Sequence, residues 1–192
     1  DTTNIGKGTG YVAEEADVTW RLNTKKAPAV KKNGYEKLLD ATEWPLIPVL
    51  GEMEIAGIEL DVKHLTDFSK VITKRIGELE KQIHKLAGQE FNIASPAQLQ
   101  DILFNKLGLS TQFVKKGKTG YSTAAGELEK MRGSHPIIEL IFEYRELAKL
   151  KSTYVDTLPV QVGKDGRVHT SYSQTIAQTG RLSSNNPNLQ NI

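Results

Sequence analysis

Apolar residues recur most regularly between positions 61 and 88. Behind Asp61, residues Leu65, Phe68, Ile72, Ile76, Leu79, Ile83 and Leu86 follow at intervals of 3, 4, 4, 3, 4 and 3, and Gly88 ends the series. This period keeps every apolar side chain on one face of an α-helix, with Asp61 as its N-cap and Gly88 as its stop. Residues 62–87 would reach roughly 39 Å at 1.5 Å per residue, and the intervening Lys, Glu and Thr leave the opposite face in water. A stripe of that length needs a partner. Pro136 at a helix start, followed by Ile137, Leu140, Ile141, Tyr144, Leu147 and Ala148, supplies one, and antiparallel pairing is the simplest closure.

The remaining patterns are shorter. Tyr11 to Leu22 reads as an amphipathic helix that ends before a Lys-rich linker containing Pro28. Pro45 and Pro48 suit a helix entry, and the apolar run continues through Met53 and Ile55 to a turn at Gly57, so a new unit is expected from about residue 41. Ser95-Pro96 opens a helix with Leu99, Ile102, Leu103 and Leu107 on one face, and Ser122-Thr123 opens another. The basic, glycine-broken stretch Phe113 to Gly120 between them is expected to be a mobile tip. After Pro159 the period changes to two: Val160 and Val162, a turn at residues 163–166, then Val168, Thr170 and Tyr172 predict a β-hairpin. The fold class expected is therefore mainly α with a small β part, a long antiparallel helical hairpin followed by a β-hairpin.

Composition narrows the function. With 192 residues, a net charge of +2, 25% charged and 38% hydrophobic residues, the chain can bury one full core and is not disordered. No run approaches eighteen apolar residues, and the first twenty carry Asp1, Lys7, Glu14, Glu15 and Asp17, so neither a membrane span nor a secretory signal is expected. The absence of cysteine excludes disulfides, thiolate zinc sites and cysteine nucleophiles. His64, His84, His135 and His169 lack metal-ligand spacing. A cytoplasmic monomer is expected. Residues 166–192 contain no Asp or Glu, while Arg167, Arg181 and seven amides crowd the same stretch. Amides offer a donor and an acceptor together and Arg offers a planar fork, which suits base edges and phosphates. By composition alone a polar, turn-rich loop accounts for the stretch more simply.

Residue order adds more. Thr179-Gly180-Arg181-Leu182-Ser183-Ser184-Asn185-Asn186-Pro187-Asn188-Leu189-Gln190-Asn191-Ile192 closely resembles the palm segment with which bacterial family A DNA polymerases, of the DNA polymerase I type, meet the primer-template duplex. Glu143 to Tyr154 resembles the thumb-to-palm helix of that family, and Gly166-Arg167-Val168-His169-Thr170-Ser171-Tyr172, Pro45 to Leu50 and Phe91 to Pro96 stand in family order. The resemblance makes the helical hairpin a polymerase thumb. It implies an exonuclease-like remnant at 1–40, a thumb at 41–155 and the start of a palm at 156–192, truncated at its end.

By the same resemblance, Arg181 is the minor-groove arginine at the primer-terminal base pair, where N3 and O2 acceptors are common to all Watson–Crick pairs. Asn188, Gln190 and Asn191 are the amides that touch minor-groove edges and nearby template backbone. Arg145, Lys149 and Lys151 grip the template strand; Arg145 and Lys149 share a helix face, whereas Lys151 is equally a solvated lysine. Asn92, Ser95, Ser122 and Thr123 precede short helices, where they either hold phosphates or simply cap. Lys115, Lys116 and Lys118 add backbone attraction or solubility. Two departures stand out: Ala177-Gln178 replaces the family's Thr-Ala before Thr179-Gly180-Arg181, and Asn186 replaces an Asp before Pro187. Tyr11 to Glu15 resembles the last 3′–5′ exonuclease motif, but Glu15 stands where that motif has a metal-ligand Asp, so no metal is expected there. The implied parent is a DNA-directed DNA polymerase acting in replication or repair, using Mg²⁺ and dNTP on carboxylates and fingers beyond this stretch; the 192 residues alone are expected to catalyse nothing. The alternative is a non-catalytic DNA-binding or helical scaffolding module.

Overall fold

The computed structural model describes residues 5–118 and 120–190, so the expected contact Asn191 lies outside the described residues. Packing gathers them into two units, Ile58–His169 with the residues from Leu189 on, and those up to Gly57 with Thr170–Asn188. This grouping reports packing and is separate from the expected domain spans.

In the first unit the helical hairpin forms as the apolar spacing requires. Helix α4 (Val62–Ala87) is capped by the Asp61 carboxylate, which accepts from the His64 backbone N–H at 2.8 Å, and it stops at Gly88 in the left-handed region (φ 68°). Helix α7 (Pro136–Leu150) starts where His135 Nδ1 accepts from the Ile137 N–H at 3.1 Å. The two run antiparallel, since Ser69 meets Lys151 near one end while Arg75 meets Glu143 further along. Ile72, Leu79, Ile83 and Ala87 of α4 and Ile137, Ile138 and Ile141 of α7 are buried, each large aliphatic contributing roughly 1.5–3 kcal/mol. The stripe loses cover at both ends. Phe68 is 37% exposed, because the 15-residue α7 is too short to cover a 26-residue partner, and Leu86 is 36% exposed with Ala87 taking its place on the buried face. Between them, α5 (Pro96–Gln100) continues into a wide π-helical turn, Asp101–Lys106, and drives Leu99, Ile102 and Leu103 into the same core.

Three expectations in this unit need correction. The basic stretch is not a bare loop: β2 (Lys116–Gly117) and β3 (Gly120–Tyr121) pair antiparallel, with the Lys116 ammonium 5.5 Å from the Tyr121 ring centre. Helix α6 (Ala125–Glu129) begins after Ala124, later than Ser122-Thr123. The period-two segment does not fold onto itself. Pro159–Gln161 is a 3₁₀ turn that leaves Val160 exposed, while β4 (Arg167–Val168) pairs with β1 (Ile58–Glu59), Ile58 opposite Val168. The turn at Gly163 to Gly166 does form, closed by the Gly163 N–H on the Arg167 carbonyl at 2.7 Å.

The second unit corrects the N-terminal reading. Helix α1 (Ile5–Lys32) runs through Pro28 without a linker, because the surrounding Lys and Ala are strong helix formers and the carbonyl Pro28 leaves unpaired lies on an exposed surface. A short helix α2 (Glu36–Leu38) and the π-helical turn Leu39–Glu43 lead into α3 (Trp44–Ala56), which has Pro45 at its entry as expected, whereas Pro48 lies inside the helix. Strands β5 (Ser171–Ser173) and β6 (Ser183–Asn185) pair antiparallel. They are tied to the helices by the Tyr172 N–H donating to Glu54 Oε1 at 2.6 Å and by the Gln174 amide donating to Glu43.

Candidate nucleic-acid interface

An open cleft of about 760 Å³ beside the helical hairpin is lined by Ser95, Gln100, Tyr121, Ser122, Thr123 and Arg145, among others. Four of the sequence-predicted contacts thus meet on one surface. Arg145 arrives from α7 and is half-buried, donating to the Thr123 carbonyl at 2.5 Å. Burial draws its pKa below the ordinary arginine value, and among the described residues no carboxylate opposes the shift. A guanidinium stays charged in a protein, so an uncompensated positive charge stands in the cleft wall, an arrangement that suits an anion.

The hydroxyls and amide around it are partly spent on turns. Asn92 Oδ1 accepts from the Ala94 N–H at 2.9 Å, Ser95 Oγ from the Gln98 N–H at 3.4 Å, and Ser122 Oγ from the Ala124 N–H at 3.2 Å. Capping and phosphate binding are compatible here, since a hydroxyl that accepts through its oxygen still has its O–H to donate. Asn92 lies outside the cleft lining. Thr123 is buried and serves through its backbone carbonyl. The cleft floor depends on Gly120 (φ +127°), where an added Cβ would stand 2.3 Å from Gln100 Oε1.

Along α7, Lys149 is exposed one turn beyond Arg145. Lys151 is not so placed: its ammonium pairs with Asp156 at 2.5 Å and lies 3.0 Å from Ser69 Oγ, and this contact holds the Asp156 carboxyl below the usual carboxylate range.

The acid-free segment is held from within. Thr170 Oγ1 and Ser184 Oγ lie buried 2.7 Å apart, and between them they reach the Asn185 and Pro187 carbonyls at 2.7–3.1 Å. This fixes the bend at Asn186 (φ 55°), which precedes a cis peptide to Pro187. The sequence reading missed this pair; its one signal is the Thr170–Tyr172 alternation, which reads as strand. Arg181, just before β6, and Asn188 and Gln190 beyond it are all exposed. Glu15 is exposed on α1, and among the described residues no cluster of three or more His, Asp or Glu could hold a metal.

The sequence model of DNA polymerase family A matches residues 62–192, starting at the first residue of α4. The chain belongs to this family. Family A relatives include DNA polymerase I of Geobacillus stearothermophilus, 44% identical over 95% of this chain and 21% of that protein. DNA polymerase I of Synechocystis is 49% identical over 82% of this chain and 16% of that protein, and the thermostable enzyme of Thermus filiformis is 47% identical over 97% and 22%. The chain therefore spans about a fifth of the length of these relatives. Among solved structures, the POL domain of Pol1 from M. smegmatis in complex with DNA primer-template and dNTP matches at a TM-score of 0.77 and 39% identity, over 85% of this chain and 29% of that one. The matched family span includes both the helical hairpin and the acid-free segment. No described helix is long and apolar enough to cross a membrane.

Proposed function

We propose that this chain is the part of a family A DNA-directed DNA polymerase that grips primer-template DNA: an exonuclease-like remnant at 1–40, the thumb at 41–155 and the opening of the palm at 156–192. The observation that carries the reading is the cleft where Arg145, with no carboxylate partner among the described residues, stands with the hydroxyls of Ser95 and Ser122. Arg145, Lys149, Asn92, Ser95 and Ser122 hold the sugar-phosphate backbone, which fixes register without reading sequence, while the buried Thr123 positions Arg145 through its carbonyl. Arg181, Asn188, Gln190 and Asn191 meet minor-groove edges, where Arg181 donates to acceptors shared by all correct pairs and so tests pair geometry. The donor set of residues 166–192 does not fit Mg²⁺, which takes carboxylate oxygens. In this reading the metal and the dNTP are held by other residues of a longer, cytoplasmic and monomeric parent.

The test is Arg181→Ala in that parent. Primer extension should fall by roughly 5- to 150-fold, the equivalent of about 1–3 kcal/mol for a lost base contact, while DNA affinity changes much less. The variant should also be nearly indifferent to a primer-terminal guanine analogue whose N3 cannot accept. Extension at the wild-type rate, or an analogue that slows both proteins equally, would contradict the assignment.

A further inference from the structure

Lys151 stands two residues beyond Lys149 in the same basic run, yet its surroundings are of another kind. Its side chain is 23% exposed. It donates to Asp156 Oδ2 at 2.5 Å and to Ser69 Oγ at 3.0 Å, and Ser69 in turn donates to Asp156 Oδ1 at 2.7 Å. The three side chains close a ring between α4, which carries Ser69, and the π-helical turn Lys151–Val155 that ends α7. The backbone closes the same turn between the same two residues, the Asp156 N–H donating to the Lys151 carbonyl at 3.0 Å. Val155 is buried beneath it. To reach a phosphate, Lys151 would have to leave a carboxylate already in contact and abandon Asp156 beside a polyanion, which like-charge repulsion disfavours. Lys149, exposed and one step earlier, meets no such cost.

We infer that Lys151 is a positioning residue of the DNA grip: with Ser69 and Asp156 it fixes the end of α7 against α4, so that Arg145 and Lys149 are held ready for the template backbone while Lys151 itself touches no phosphate. This rests on the reading of the chain as the primer-template grip. π-Helical turns are recurrent at functional sites, and this one is pinned by a side-chain ring as well as by its backbone. Removing any member of the ring loosens the helix end on which both template-facing cations stand.

The experiment uses the full-length polymerase carrying Lys151→Met, Asp156→Asn, both together, Lys151→Arg, or Lys149→Ala. Primer-template affinity is measured across a salt series, and amide exchange is followed over residues 149–156. Lys151→Met and Asp156→Asn should each weaken binding by roughly 3- to 10-fold, speed exchange in the turn, and leave the salt slope at its wild-type value; the double variant should be no worse than either single one. Lys151→Arg should restore binding. Lys149→Ala should instead lower the magnitude of the salt slope by about 0.9, as one lost phosphate contact requires. A Lys151→Met slope that falls as the Lys149→Ala slope does, with Asp156→Asn binding DNA as wild type, would make Lys151 a direct phosphate ligand and overturn the inference. Faster exchange with unchanged affinity would overturn it too, leaving a lock with no bearing on DNA. If the wild-type protein binds no primer-template at all, it is the reading of the function that fails, and the positioning role with it.

Discussion

Arg145 and Gly120 make the cleft what it is, one by charge and the other by absence of a side chain. Arg145 is buried enough to depress its pKa yet faces no carboxylate among the described residues, so replacing it with Ala removes positive charge and the tie to the Thr123 carbonyl together. Arg145→Ala in the parent should weaken primer-template binding on every sequence and lower the magnitude of the salt slope by about 0.9, read by anisotropy titration at several salt concentrations. Gly120 holds a positive φ that a side chain strains, whereas the Gln100 amide it would meet can swing aside, so Gly120→Ala should destabilise the chain by about 1 kcal/mol through backbone strain, read in denaturant unfolding. That Arg145 and Lys149 share one helix face was legible from their spacing of four. The engagement of Lys151 was not, because its partners Ser69 and Asp156 are brought in by the hairpin rather than by neighbouring sequence.

The helical hairpin is where local and tertiary signals agree. Asp61, the 3-and-4 apolar series and Gly88 each mark α4 independently, which is why both of its limits could be read from the sequence. Leu79→Ala, fully buried at the seam, should cost about 2–5 kcal/mol, and Asp61→Ala about 0.5–2 kcal/mol through the lost cap, both read by denaturant unfolding. The bidentate Arg75–Glu143 pair, at 2.6 and 2.8 Å, links α4 to α7 and holds the Glu143 carboxyl below its ordinary value of 4.5. A depressed carboxylate pKa contributes stability that is present above the unfolded value and lost as pH falls through the folded one. Thermal unfolding should therefore show a loss of stability below about pH 4.5 that is shallower in Glu143→Gln. Amide exchange should be slowest in residues 65–86 and 137–150. Where elements escaped the sequence reading, a non-local partner decided them: β4 finds β1 more than a hundred residues away, which no alternation within residues 160–172 can announce. Pro28 misled in the opposite direction: its missing N–H and its ring disfavour a helix interior, yet the helix runs through it on an exposed surface, carried by the flanking helix formers.

At the scale of the whole molecule, the chain spans about a fifth of its relatives, and the acid-free segment offers amides and Arg where metal chemistry would need carboxylates. The 192-residue chain should therefore incorporate no nucleotide when given Mg²⁺ and all four dNTPs, checked by primer extension with a preparation free of host polymerase. What it should do is bind. The direct test is anisotropy titration of the chain with a labelled primer-template duplex over a range of salt, beside the Arg145→Ala/Lys149→Ala double variant. The account predicts weak, sequence-independent binding whose log affinity falls linearly with log salt, with a slope smaller in magnitude by about 1.8 in the double variant, roughly 0.9 for each lost phosphate contact. No binding at low salt, or an unchanged slope in the double variant, would contradict it.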